Sequence, residues 1–368
     1  MPGWKSSFAR SLAIVFCAFA AAGWQDPQAD ARKFAEIQAR VERGEPISRE
    51  DREWAQEYRR RQMTKSGAPD EAQKKLIEEF RKKNPPRDST GLVPLTDLGR
   101  GRYQGEEGGL YPGGVNVPPS HHLKAGLAMA KQIAPVDAQG KPSPDGKIVL
   151  LSIGMSNTTQ EFQVFKKLAA SEPGLNPRLA IVDGAQGGQT ARVTADPRAK
   201  FWDVVAERLR GAGVTERQVQ VAWVKQANAR PTEPFPAEAK RLSADLIKTL
   251  QNLHDKFPNL KIAYLSSRIY AGYANTALNP EPYAYEEGYS VRWLIQDQIA
   301  GNADLNADPD KGAVKAPVLL WGPYLWADGT AGRKDGRLKW LREDLGADGT
   351  HPSRPGCAKV ADLLLDFF

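Results

Sequence analysis

KIVLLSIGMS, running from Lys147 to Ser156, is the stretch on which the fold turns. A short apolar run closed by Gly154 and followed by an amphipathic segment from about Thr158 to Ala170 reads as a buried strand feeding a helix. The same alternation then repeats. LAIVDG, from Leu179, precedes a helix near Lys200 to Gly211, and QVQVAWV, from Gln218, precedes a long helix from about Pro236 to Phe257. KIAYLSS and APVLLWG follow, separated by a helix near Ser290 to Ala300, and Pro355 to Phe368 closes the chain as a last helix. Near-continuous apolar strands between amphipathic helices imply a parallel sheet covered on both faces. The expected fold class is α/β, with about five parallel strands.

In open sheets of this kind ligands sit beyond the carboxyl ends of the strands, so the residues placed there are the ones to inspect. GMSN (Gly154 to Asn157) follows the first strand, GAQGGQT (Gly184 to Thr190) the second and KQAN (Lys225 to Asn228) the third, while DGTHP (Asp348 to Pro352) precedes the last helix. A serine at a strand-to-helix turn has its backbone N–H at a helix N-terminus, where an anion is favoured, and its hydroxyl free to react. It needs a base, and the chain has four histidines. His121 and His122 lie in a Pro-rich loop and His254 late in an amphipathic helix. His351 is therefore the candidate base, with Asp348 three residues earlier to orient it. The N–H of Gly187 or Gly188 and the Asn228 amide are candidate donors to a developing oxyanion.

These four blocks, in this order, resemble the SGNH (GDSL-like) hydrolase superfamily over roughly Lys147 to Phe368. The resemblance implies a flavodoxin-like three-layer α/β/α sandwich and hydrolysis of an ester or related acyl bond, often an acetyl group on a carbohydrate. Carried over position by position, it makes Ser156 the nucleophile, Asp348 and His351 its partners, and Ser156, Gly187 and Asn228 the oxyanion hole. Two departures stand out. Met155 occupies the acidic place of the usual GDS, and KQAN replaces the usual third block, which leaves the reach of Asn228 open. A binding or scaffolding protein that keeps the fold without catalysis is the alternative that these departures raise, and acyl transfer is a third.

Outward from this core, residues 1–22 combine Lys5 and Arg10 with an apolar run from Leu12 to Ala22, too short to span a bilayer, and read as an export signal. A secreted or periplasmic protein without stable membrane insertion is expected. Its loss would lower the formal charge from +7 to +5, since Lys5 and Arg10 leave with it. Residues 23–100 read as a charged N-terminal helical arm, broken at Gly44-Glu45-Pro46 and Gly67-Ala68-Pro69, and 101–368 as the hydrolase-like domain. Ser48 and Asp70 are placed to cap arm helices. The basic residues alternate with acids, as in SREDREWAQEYRRRQ, which suits solvated helix faces and speaks against nucleic acid as a partner. No nucleotide-binding glycine motif or zinc spacing occurs, so no cofactor and no metal is expected, and Asp304 to Asp310 reads as a solvated loop. The expected partner is a small-molecule or carbohydrate ester. Arg268, Tyr270, Trp321, Tyr324 and Trp326, all near strand ends, are candidates for holding a sugar.

Overall fold

The computed structural model describes residues 27–42, 47–55, 58 and 71–368. The expected export signal lies outside the described residues. The chain divides after Asp70 into two compact units. In the first, a helix over Pro27–Glu42 and a helical stretch over 49–55 bury Ile37 and Ala55, and the Tyr58 ring stacks on Phe34 and Trp54. The Ser48 hydroxyl accepts the Asp51 N–H at 3.0 Å and so caps the second stretch. The second unit, Glu71–Phe368, carries the sheet.

Five strands form that sheet: β1 (Ile148–Gly154), β2 (Leu179–Asp183), β3 (Val219–Lys225), β4 (Ile262–Leu265) and β5 (Val318–Trp321). Every pairing is parallel and the order is β2-β1-β3-β4-β5. Parallel neighbours need crossovers, and helices supply them: α1 (Ser120–Ala130) ahead of the sheet, then α2 (Ser156–Ala169), α3 (Lys200–Gly211), α4 (Ala237–Lys256), α5 (Tyr283–Ile299) and α6 (Arg354–Phe367). α2 packs with α6, and α4 with α5, which covers both faces and makes a three-layer α/β/α sandwich. That coverage explains the unbroken apolar runs: Val149, Leu150, Leu151 and Ile153 of β1 are all buried, as are Ala222, Trp223 and Val224 of β3. Trp223 stacks on Phe162 of α2 and donates its indole N–H to Ser266 Oγ.

Because the chain turns left from β1 to β2 and then returns rightward to β3, β1 and β3 flank the switch point, where such sheets open a crevice. Among the described residues no helix is long and apolar enough to cross a membrane.

Candidate active site

Ser156 stands at that switch point because β1 ends two residues before it. Gly154 closes the strand, and a side chain there would meet Lys225 O and Thr158 Oγ1 at 2.3 Å, so only glycine lets β1 lie this close to β3. Met155 then turns the chain in extended conformation, and Ser156 is the first residue of α2. The helix begins two residues earlier than its hydrophobic pattern suggests. Its start has no side-chain cap, so the positive end of the helix and its free N–H groups surround the serine. Met155 is buried, so the side chain that replaces the expected acid packs into the core.

His351 arrives from the loop before α6. Its Nε2 lies 2.7 Å from Ser156 Oγ, and its Nδ1 lies 2.5 Å from Asp348 Oδ2. A carboxylate only accepts, so Nδ1 carries the proton and Nε2 presents a lone pair to the hydroxyl. Burial alone would raise the Asp348 carboxyl. Hydrogen bonds from the His351 ring, the His351 N–H and the Thr350 N–H, with the imidazole charge, outweigh it and hold the group down to about 2. Asp348 is thus ionised at neutral pH.

The loop carrying these two residues is braced from several sides. Asn275 donates its N–H to Asp348 O and its amide to Ala347 O, and Gly346 N–H closes on His351 O. Gly349 adopts φ +66°, and a Cβ there would sit 1.8 Å from Tyr273 O, so backbone packs directly on backbone. The other strand-end loops converge from the opposite edge. Gln186 N–H bonds Gly154 O, which brings Gly187 beside Ser156, where a side chain on Gly187 would lie 3.9 Å from Ser156 Cβ; Gly188 has nothing within 4 Å of that position. Asp183 anchors this loop through Ser152 Oγ, Thr159 Oγ1 and Ala185 N–H.

Asn228, in the loop after β3, is held against the far end of the β2 loop. Its Oδ1 accepts the Arg192 N–H at 3.2 Å and its Nδ2 donates to Asp245 Oδ2 at 2.8 Å, which fixes the amide and leaves one N–H uncommitted.

The expected sugar contacts are corrected. Arg268 is 3% exposed, and Tyr270, Trp321, Tyr324 and Trp326 are 4% exposed or less. Each polar end is spent inside: Tyr270 OH donates to Arg87 O, Trp321 Nε1 to Leu110 O and Trp326 Nε1 to Glu281, while Tyr324 OH accepts the Leu95 N–H. These rings are core. The segments that cover them, 85–95 and 110–111, lie outside the alternation of apolar strands and amphipathic helices, so that pattern does not reveal the layer they bury. His121 and His122 lie in the first turn of α1 and not in a loop; His122 is buried against Leu319 O, and His121 is exposed beside it.

One feature beneath the serine escaped the sequence reading. Lys225, at the end of β3, is buried with its Nζ 2.5 and 2.6 Å from the two oxygens of Glu161 on α2. Burial raises the carboxyl and lowers the ammonium, and their mutual attraction opposes both. The signal was present, for Glu161 interrupts the buried stripe Asn157, Thr158, Phe162, Phe165 of α2, and a charge on an apolar stripe demands a buried partner.

No protein-family model matches this chain, and no curated protein matches it. Among solved structures it is similar to the periplasmic domain of a lipopolysaccharide acetyltransferase from Salmonella ser. Paratyphi A, at 12% identity and a TM-score of 0.33, over 67% of this chain and 95% of that one. It is also similar to the YxiM protein of Bacillus subtilis, at 12% identity and a TM-score of 0.32, over 62% and 57% respectively. Likenesses of this size carry no argument about activity, and the functional case rests on the geometry of the site.

Proposed function

We propose that this chain is a serine hydrolase of the SGNH type that cleaves an acyl ester, with an O-acetyl group on a carbohydrate as the substrate class the resemblance favours. The observation that carries the reading is the continuous hydrogen-bonded line from Ser156 Oγ through the His351 ring to Asp348. His351 Nε2 takes the hydroxyl proton as Oγ attacks the acyl carbon, and Asp348 stabilises the imidazolium that forms. The N–H groups of Ser156 and Gly187, with the uncommitted N–H of Asn228, receive the oxyanion. Collapse expels the alcohol, protonated by His351, and leaves an acyl-serine. Water, deprotonated by the same Nε2, then attacks, and the carboxylic acid departs with Ser156 restored.

Residues 1–22 direct export in this reading, so the substrate lies outside the cytoplasm.

The test is hydrolysis of p-nitrophenyl acetate by the chain without residues 1–22. Wild type is expected to turn over, and Ser156→Ala and His351→Ala to lose that turnover while keeping the fold. Asn228→Ala is expected to lose about 10²- to 10³-fold in kcat, the usual cost of one oxyanion donor. Full activity in Ser156→Ala would sink the reading, and a loss below about three-fold in Asn228→Ala would remove that residue from the hole.

A further inference from the structure

The peptide that joins Thr350 to His351 is gripped along both edges. On one edge the His351 N–H donates to Asp348 Oδ1 at 3.0 Å. On the other the Thr350 carbonyl accepts from Asn157 Nδ2 at 3.0 Å and from Arg268 Nη2 at 3.4 Å. Asn157 is the residue after Ser156 and is 1% exposed. A single side chain therefore ties the first turn of α2, which carries the hydroxyl, to the loop that carries the imidazole.

Arg268 makes the arrangement unusual. It is buried, and among the described residues its Nε has no hydrogen-bond partner and no carboxylate lies within ion-pair distance of it. A buried guanidinium left so poorly paired is costly, and a stabilising role for the fold alone gives no reason to keep it. What it does reach is the one carbonyl that sets the plane of the His351 peptide. Glu161, already bonded to Lys225, and buried Glu287 both feel the Arg268 charge, but neither pairs with it. A full positive charge held on the Thr350 oxygen also polarises that peptide, which strengthens the His351 N–H as a donor to Asp348.

We propose that Asn157 and Arg268 are positioning residues that hold the Thr350–His351 peptide, and through it the imidazole, in line with Ser156. The inference rests on the serine-hydrolase reading above. Neither residue touches the reacting atoms, and both act through His351. A ring held by its two nitrogens alone would swing about the Asp348 bond, whereas a fixed peptide plane limits that motion and keeps Nε2 in reach of the hydroxyl.

The experiment compares Asn157→Ala and Arg268→Lys with wild type. Asn157→Ala removes the link to α2, while Arg268→Lys keeps the buried charge and loses the planar fork. Turnover of p-nitrophenyl acetate is normalised to the sites labelled by a fluorophosphonate, so unfolded protein does not count. A lower kcat by about 10- to 100-fold in Asn157→Ala and several-fold in Arg268→Lys, with KM within about two-fold, is the expected result. In parallel, the far-downfield proton resonance of the His351 Nδ1–H bonded to Asp348 is expected to broaden or vanish in both variants. Loss of thermal stability with unchanged kcat per labelled site and an unchanged resonance would overturn the proposal. If one variant fails to fold, the other decides. If wild type neither hydrolyses the ester nor takes the label, the hydrolase reading fails, and the resonance alone still decides whether these residues position His351.

Discussion

A carboxylate that accepts three hydrogen bonds from two consecutive residues and a ring is committed to staying charged. Asp348 is that group, and its folded carboxyl near 2 lies below the ordinary value of about 3.9 for an unfolded aspartate. The folded state therefore binds fewer protons than the unfolded one between those values. Its contribution to stability is complete above about pH 4 and disappears as the pH falls through about 2. Asp348→Asn is expected to flatten acid unfolding across that window and, with the wrong ring tautomer favoured, to cost about 10³- to 10⁴-fold in kcat; stopped-flow ester hydrolysis and acid titration of the fluorescence measure the two effects. At this scale the sequence was legible where spacing does the work. Asp348 and His351 are three residues apart, so one turn joins them. Asn157 and Arg268 carry no such mark, since what defines them is a shared carbonyl that lies 193 positions after the first and 82 after the second.

Between neighbouring elements, backbone fits against backbone only where a Cβ is missing. The loop after β4 rests on the loop before α6 at Gly349, in a left-handed conformation, with Tyr273 O where a side chain would begin. Gly349→Ala is expected to destabilise the chain by about 2 to 4 kcal/mol and to lower kcat in the molecules that remain folded, because relieving the clash moves Asp348; urea unfolding with a matched activity assay checks both. The strands and the helices Lys200–Gly211 and Ala237–Lys256 were readable from the alternation of apolar runs and amphipathic segments. The helix Tyr283–Ile299 was read from Ser290, more than a turn late. Its first half contains Tyr285, Glu286, Glu287 and Tyr289, all buried, and a helix buried all round shows no polar face to reveal its period.

Across the whole molecule, the second unit conceals charge as well as apolar surface. Glu287 is 6% exposed, and burial pushes its carboxyl up to about 8 against the pull of Arg268 and the Asn279 amide, which donates to it at 2.6 Å. The folded chain keeps this proton where the unfolded chain, titrating near 4.3, has released it. Stability is thus expected to fall as the pH rises from about 4.5 to 8, and Glu287→Gln to show a shallower decline in Tm over the same range; a steeper decline in the variant would contradict the assignment. The three-layer architecture was legible because it follows from patterning. The covering segments were not, since their partners are distant: Ser89, Thr90 and Gly91 all converge on the carboxylate of Asp328. That grip has a consequence for the order in which the molecule comes into being. Residues 89–91 leave the ribosome long before Asp328 does, and Ser156 leaves it 195 residues ahead of His351. A nascent chain can complete most of its sheet while its early segment still lacks a place to dock and its serine still lacks a base. The hydroxyl stays chemically idle through synthesis and gains its imidazole only when the last helix is added.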